Sequence, residues 1–245
     1  MAGGRNVAGG EEYASDGERC YAKGEKHQAR IPSFTLGTLS AMAVGAYGHI
    51  LHFQIMADHT TLATNRNPLG LDRPVVLVGL MGAGKSTVGR RLARDIGLDF
   101  VDSDQEIAEA AGCSIADIFE IYGETIFRDL EKRVILRLVS GDPAVVATGG
   151  GAFMNAEIRE AVKRQSISVW LKADLDVLVE RVSRRDTRPL LQKGDKRATL
   201  ERLMSERHPF YAEADITIES DEGAHEKVVS RIAAQLAIHK EEKKA

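Results

Sequence analysis

Val75-Val76-Leu77-Val78-Gly79-Leu80-Met81-Gly82-Ala83-Gly84-Lys85-Ser86 decides the fold of this chain. Its first four residues are an apolar, β-branched run of the kind that forms a buried strand. The next eight fit the phosphate-binding pattern G-x-x-x-x-G-K-[ST]. Beyond them Val88, Leu92 and Ile96 recur at i, i+4 and i+8 and mark one apolar helix face. The glycines therefore fall between a strand and a helix N-terminus, where unpaired N–H groups and the helix dipole favour an anion. In that setting Gly82, Ala83, Gly84, Lys85, Ser86 and Thr87 form a nucleoside triphosphate cradle. Lys85 reaches the β- and γ-phosphates, and the Ser86 hydroxyl serves Mg²⁺.

Working outward, strand-like and helix-like segments alternate from Arg73 onward, which predicts an α/β fold with a parallel sheet. Strands are predicted at Val75–Val78, Leu98–Val101, Ala144–Ala147, Ile167–Leu171 and Asp215–Glu219. Ser114 reads as a helix cap with Asp117 in the first turn. Gly123–Leu138, Asp174–Arg184, Ala198–Arg207 and Ala224–Ile238 read as helices, with Pro209 stopping the fourth and a charged tail, Lys240–Lys244, after the last. Right-handed crossovers place all strand C-termini on one edge, where ligands bind in open α/β sheets. Chemistry is thus expected just after each strand.

Two further stretches meet that expectation. Asp102-Ser103-Asp104 follows the second strand. Asp102 is the better Mg²⁺ partner, acting through water because Mg²⁺ sheds its shell reluctantly. Asp104 is left to face a substrate hydroxyl. Gly149-Gly150-Gly151 follows the third strand and removes every Cβ where a ligand must approach the backbone. Arg128, with Glu131 three residues on and Glu124 four before, shares one helix face with them. Arg181, Arg184, Arg185 and Arg188 crowd a segment that ends in Arg188-Pro189-Leu190-Leu191. This basic, Gly-containing stretch, about 185–197, reads as a mobile lid over phosphates. Arg207 is positioned to project into the same cleft.

These motifs together resemble the shikimate kinase family over about Pro74–Ile238. The residues that carry the likeness are the loop Gly79–Thr87, Asp102-Ser103-Asp104, Phe127-Arg128 with Glu131, Gly149-Gly150-Gly151, Arg188-Pro189-Leu190-Leu191, and Arg207 with Pro209 and Tyr211. The resemblance implies a nucleoside-monophosphate-kinase-like fold, a five-stranded parallel sheet in order 2-3-1-4-5 flanked by helices. It implies transfer of the ATP γ-phosphate to the 3-hydroxyl of shikimate, in chorismate and aromatic amino-acid synthesis. By position, Asp104 holds the substrate hydroxyl; Arg128, Arg207 and the Gly149–Gly151 backbone hold the substrate side; Glu131 orients Arg128. Lys85 and Arg188 face the transferring phosphate, and Arg181 stacks on adenine, with Arg184 as an alternative. Two rival readings are another small-molecule P-loop kinase, such as one acting on gluconate or a nucleotide, and a nucleotide-binding module without catalysis.

The bulk properties agree with a kinase domain. The chain has 245 residues and a net charge of −3, with no basic stripe of the kind nucleic-acid binders carry. Cys20 and Cys113 match no metal spacing and suit a reducing, cytoplasmic setting. ATP and shikimate are the expected partners, and a monomer is the expected state. Residues 1–65 form an N-terminal extension, Gly-rich and charged at first and read as largely disordered, ahead of a kinase domain at 66–245. Phe34–Met56 is mostly apolar and long enough for a short helix or even a membrane span. His49, His52, Gln54 and three Thr/Ser hydroxyls within it argue against a span. Nothing before Met56 is needed for the motif set, so a start of translation at Met56 is a second reading of this region. The intact mass of the protein made from its native gene tests this, and a 245-residue product contradicts it.

Overall fold

The computed structural model describes residues 67–184, 195–220 and 225–243. All of them belong to one of the chain's two compact units, Thr64–Ala245. The predicted helix at 34–56 and the rest of the N-terminal extension lie outside the described residues.

The core strand is β1, Val75–Val78, whose four side chains are fully buried. Strands β2 (Asp99–Asp102), β3 (Ala144–Ala147), β4 (Ile167–Lys172) and β5 (Ile216–Glu219) complete one sheet in the order β2-β3-β1-β4-β5. Every pairing is parallel; Val76 lies opposite Val146 on one side and Ser168 on the other. Burial follows position. The central strands are covered on both faces and read as continuous apolar runs, whereas edge strand β5 alternates buried and exposed.

Four strand boundaries differ from the sequence reading by one residue: β2 and β4 run one residue further, to Asp102 and Lys172, and β2 and β5 start one residue later, the late starts each for a local reason. Leu98 is not in β2, because its N–H closes the end of the preceding helix on Ala93. Asp215 precedes β5: its carboxylate accepts from the N–H and hydroxyl of Ser168 and pins the strand's entry.

Helix α1, Lys85–Ile96, starts directly from the phosphate-binding loop. Its N-cap, Gly84, has φ +94°, a left-handed value that glycine adopts without the Cβ penalty. Helix α2 spans Ser103–Ala111 and is capped by the Asp102 carboxylate on the Asp104 N–H. Helix α3, Ile115–Val139, begins in a reciprocal capping box between Ser114 and Asp117. It joins what the sequence suggested as two segments, with a kink at Gly123 (φ 80°, ψ 174°). Helices α4 (Ala156–Gln165) and α5 (Leu175–Ser183) follow.

Helix α6, Lys196–Tyr211, corrects one expectation: Pro209 does not stop it. Proline removes its own N–H and crowds the carbonyl four residues back, yet the chain stays helical for two more residues. Burial of Tyr211, 1% exposed, holds that last turn on the core. Helix α7, His225–Glu242, also outruns its predicted end and takes in part of the charged tail. There the Lys240 ammonium donates to the carbonyls of Leu69 and Gly70 and ties the helix to the segment entering β1. Among the described residues no helix is long and apolar enough to cross a membrane.

One side chain that is missing sets how closely α1 packs on the sheet. A Cβ at Gly89 would lie 2.6 Å from the Phe100 ring and 3.1 Å from Leu77. Alanine in a helix interior normally gains about 1 kcal/mol over glycine. Overpacking costs about 1–3 kcal/mol and outweighs that gain here. Gly89→Ala should therefore lower the thermal midpoint by about 2–6 °C; a rise in calorimetry would contradict this packing.

Candidate active site

The C-terminal ends of β1, β2 and β3 open on one cleft of about 530 Å³. Gly82, Gly84, Lys85, Ser86 and Thr87 form one wall, and Asp102, Asp104, Gly149 and Gly150 another. The residues that follow these three strands line the cleft together, where the topology places a ligand site.

In the loop, the Lys85 ammonium is buried and donates to the carbonyls of Gly79 (2.7 Å) and Leu80 (3.0 Å). These contacts hold the cation at the mouth of the nest in which an anion would sit. Ala83 stands apart from its neighbours. Its side chain is buried, its N–H donates to Leu80, and its carbonyl accepts from the Ser220 hydroxyl. It shapes the loop from behind and does not line the cleft.

The Ser86 hydroxyl donates to Asp102 Oδ2 at 2.7 Å, while Asp102 Oδ1 caps α2. One hydroxyl and one carboxylate oxygen thus meet beside the loop. This small, hard-oxygen donor set suits Mg²⁺, which is bound through few protein groups plus phosphates and water. Among the described residues no group of three or more His, Cys, Asp or Glu side chains is placed to hold a metal by itself.

Beyond the loop, the three glycines gather the remaining charged groups. A Cβ at Gly149 would meet Glu131 Oε1 at 2.8 Å and Asp104 Oδ1 at 2.9 Å. A Cβ at Gly151 would meet the Arg128 guanidinium at 2.7 Å. The Gly150 carbonyl accepts from Arg207 Nη1 at 2.9 Å. Asp104, Arg128 and Arg207, which lie on three helices, are therefore brought to one strip of backbone.

Arg128 is held by Glu131 at 2.7 Å and by Glu124 at 3.0 Å. Burial alone would lower the guanidinium pKa, but the two carboxylates together raise it. Glu131 is almost fully buried, and its Oε1 has no hydrogen-bond partner. Burial pushes its pKa up; Arg128 opposes this and the charge of Asp104 adds to it.

At the other end of the cleft, Arg181 Nη1 donates to the Ser220 hydroxyl (3.2 Å) and the Gly82 carbonyl (3.4 Å). Arg184 lines the same end. Arg188 and residues 185–194 of the expected lid lie outside the described residues.

Sequence reasoning missed three contributors. The buried Ser103 hydroxyl accepts the Gly149 N–H at 3.2 Å and fixes the first glycine; its place between two aspartates was the available signal. His225 lines the cleft near Arg181, and burial followed by Arg91 and Arg181 lowers its pKa, so it favours the neutral imidazole. No local pattern marks that histidine. Tyr211, noted only as part of a motif, donates its hydroxyl to Gly150.

A glycine-rich anion nest with its lysine, a hydroxyl–carboxylate pair and an arginine-flanked polar pocket on a 2-3-1-4-5 parallel sheet define a P-loop phosphotransferase for a small anionic acceptor. The comparisons with known proteins narrow the class. The family model for shikimate kinase matches residues 81–237. A shikimate kinase of Rhodopseudomonas palustris is 56% identical over 165 residues, covering 67% of this chain and 81% of that protein. One from Brucella canis is 50% identical over 187 residues, covering 76% and 93%. The solved structure of Acinetobacter baumannii shikimate kinase in complex with shikimate superposes with a TM-score of 0.68 at 39% identity, covering 71% of this chain and 97% of that one. This chain belongs to the shikimate kinase family.

The raised pKa of Glu131 has a consequence for stability. A carboxyl whose folded value lies above the usual 4.5 contributes stability fully present below that value and lost as pH rises through the folded one. A glutamine removes the loss, keeps an acceptor for Arg128 and turns an amide toward Asp104. Glu131→Gln should unfold at pH 7 at a midpoint no lower than the wild type, with a flatter pH dependence above 4.5. A clearly lower midpoint at neutral pH would contradict the balance described.

Proposed function

We propose that this chain is an ATP-dependent shikimate kinase that forms shikimate 3-phosphate, the step its family performs in chorismate and aromatic amino-acid biosynthesis. The observation that carries the residue-level reading is the convergence of Asp104, Arg128 and Arg207 on Gly149–Gly151 at the open end of the phosphate cradle.

The acceptor is a small carbocyclic polyol with one carboxylate. A carboxylate is best held by planar, bidentate donors, and arginine supplies a fork that lysine lacks. Arg128 is pre-oriented for this by Glu131 and Glu124. Arg207 has further N–H donors beyond the one on Gly150. Asp104 then faces the 3-hydroxyl from the other side of the strip. Phosphoryl transfer passes through a loose transition state, so alignment and electrostatic stabilisation do most of the work. Asp104 need only hold the hydroxyl in line and accept its proton as the new P–O bond forms.

On the nucleotide side, Gly82, Gly84, Lys85, Ser86 and Thr87 surround the phosphates. As charge shifts toward the leaving oxygen, Lys85 and Arg188 supply positive field. Arg181 and His225 stand at the far end, where the base would lie. Ser86 and Asp102 would hold Mg²⁺, which when bound adds charge neutralisation on the β- and γ-oxygens. Water competes as a nucleophile, so closure of a lid at 185–197 would limit ATP hydrolysis. The use of ATP and the cysteine pattern support a cytoplasmic enzyme, which this reading takes to act as a monomer. Residues 66–245 form the kinase domain in this reading, preceded by an extension it does not need.

Coupled ADP release from purified protein with and without shikimate tests the activity. Release should depend on shikimate and not be restored by gluconate. Lys85→Met should cut turnover by at least about 100-fold with the fold intact. Arg128→Ala should act mainly on the shikimate KM, raising it on the order of 10–100-fold. Shikimate-independent ADP release, or an unchanged KM in Arg128→Ala, would contradict the assignment.

A further inference from the structure

One carbonyl in the site receives two donors, which the proposed mechanism does not require. Gly150 O accepts from Arg207 Nη1 at 2.9 Å and from the Tyr211 hydroxyl at 2.5 Å. The two side chains lie one turn apart on α6, so one helix end grips one peptide. Tyr211 is 1% exposed, with its ring packed beside Phe153, Trp170 and His208 at centroid distances of 5.9–6.4 Å. Burial pushes its hydroxyl up to about 12, so the phenol remains a donor throughout the neutral range.

A peptide unit is planar and trans, so the C=O of Gly150 and the N–H of Gly151 point to opposite sides. Fixing the carbonyl toward α6 turns the Gly151 N–H to the face away from Tyr211. Among the described residues that N–H has no protein acceptor, and the Arg128 guanidinium lies against Gly151. A Gly-Gly peptide has no Cβ on either side to limit its rotation, so its orientation must be imposed from outside. Arg207 can impose it only while it is not engaged elsewhere.

We propose that Tyr211 is a positioning residue. Its hydroxyl sets the Gly150–Gly151 peptide so that the Gly151 N–H is presented, beside Arg128, to the carboxylate of the acceptor. When Arg207 turns its donors to that carboxylate, Tyr211 keeps the peptide from flipping. This inference rests on shikimate being the acceptor.

The test compares Tyr211→Phe with wild type by calorimetric titration of shikimate, of shikimate methyl ester, and of ATP. The ester keeps the three hydroxyls and loses the negative charge. Removing the hydroxyl should weaken shikimate about tenfold. The ester and ATP should each change by less than about twofold, because neither uses the presented N–H as a carboxylate does. Equal weakening of shikimate and ester, or no weakening of either, overturns the proposal. Failure of the wild type to bind shikimate overturns the acceptor reading instead. If the variant does not fold, wild type labelled with ¹⁵N-glycine decides the matter. The Gly151 amide should shift more with shikimate than with the ester, and equal shifts overturn the proposal.

Discussion

Two carboxylates and two guanidiniums, carried by α2, α3 and α6, close on a strip of three glycines that follows β3. Ordinary side chains on that strip would occupy the space these groups now use: two of the three missing Cβ positions lie within 3 Å of a charged atom. The site is built by bringing distant charges against bare backbone, where the strip's own N–H groups and carbonyls take part. Its dependence on glycine follows from close approach, since none of the three has a left-handed backbone.

The sheet makes this convergence possible. Strand order β2-β3-β1-β4-β5 sets β3 between β1 and β2, so the glycine strip leaves the sheet flanked by the phosphate loop and by the two aspartates. The buried hydroxyls of Ser103 and Ser220 then tie loop to loop, one to Gly149 and one to Ala83. Such bonds are worth little singly, but each fixes a backbone segment whose direction decides where a phosphate or a hydroxyl sits. Glu131 illustrates the associated strain on stability: a nearly buried carboxylate with one unpartnered oxygen is kept beside Asp104 because it also holds Arg128.

Much of this was legible in the sequence because the signals are local. Val75–Ser86 joins a strand, a turn and a helix start within twelve residues, and that spacing alone identifies a phosphate cradle. The positions of Asp102, Asp104 and Gly149–Gly151 after strands follow from the topology of open parallel sheets. What escaped depends on contacts between residues far apart in the chain. Tyr211 reaches Gly150 across 61 positions, and Ser220 reaches Ala83 across 137, which no periodicity records. Pro209 misled because the rule for proline is local, whereas burial of Tyr211 is a tertiary effect that overrides it. The Ala83 side chain is buried behind the loop, held by one bond within the loop and one from Ser220 far along the chain.

The account is tested most directly by placing one methyl group at Gly149 and measuring each substrate separately. The Glu131 and Asp104 carboxylates are side-chain ends and can give way, so Gly149→Ala should fold. They would then be displaced by a fraction of an ångström to about 1 Å, and kcat/KM for shikimate should fall on the order of 100-fold. The ATP dissociation constant should stay within about twofold, because the phosphate loop is untouched. Near wild-type turnover of shikimate by a folded Gly149→Ala protein would contradict the convergence of Asp104 and Glu131 on bare backbone as the basis of this site.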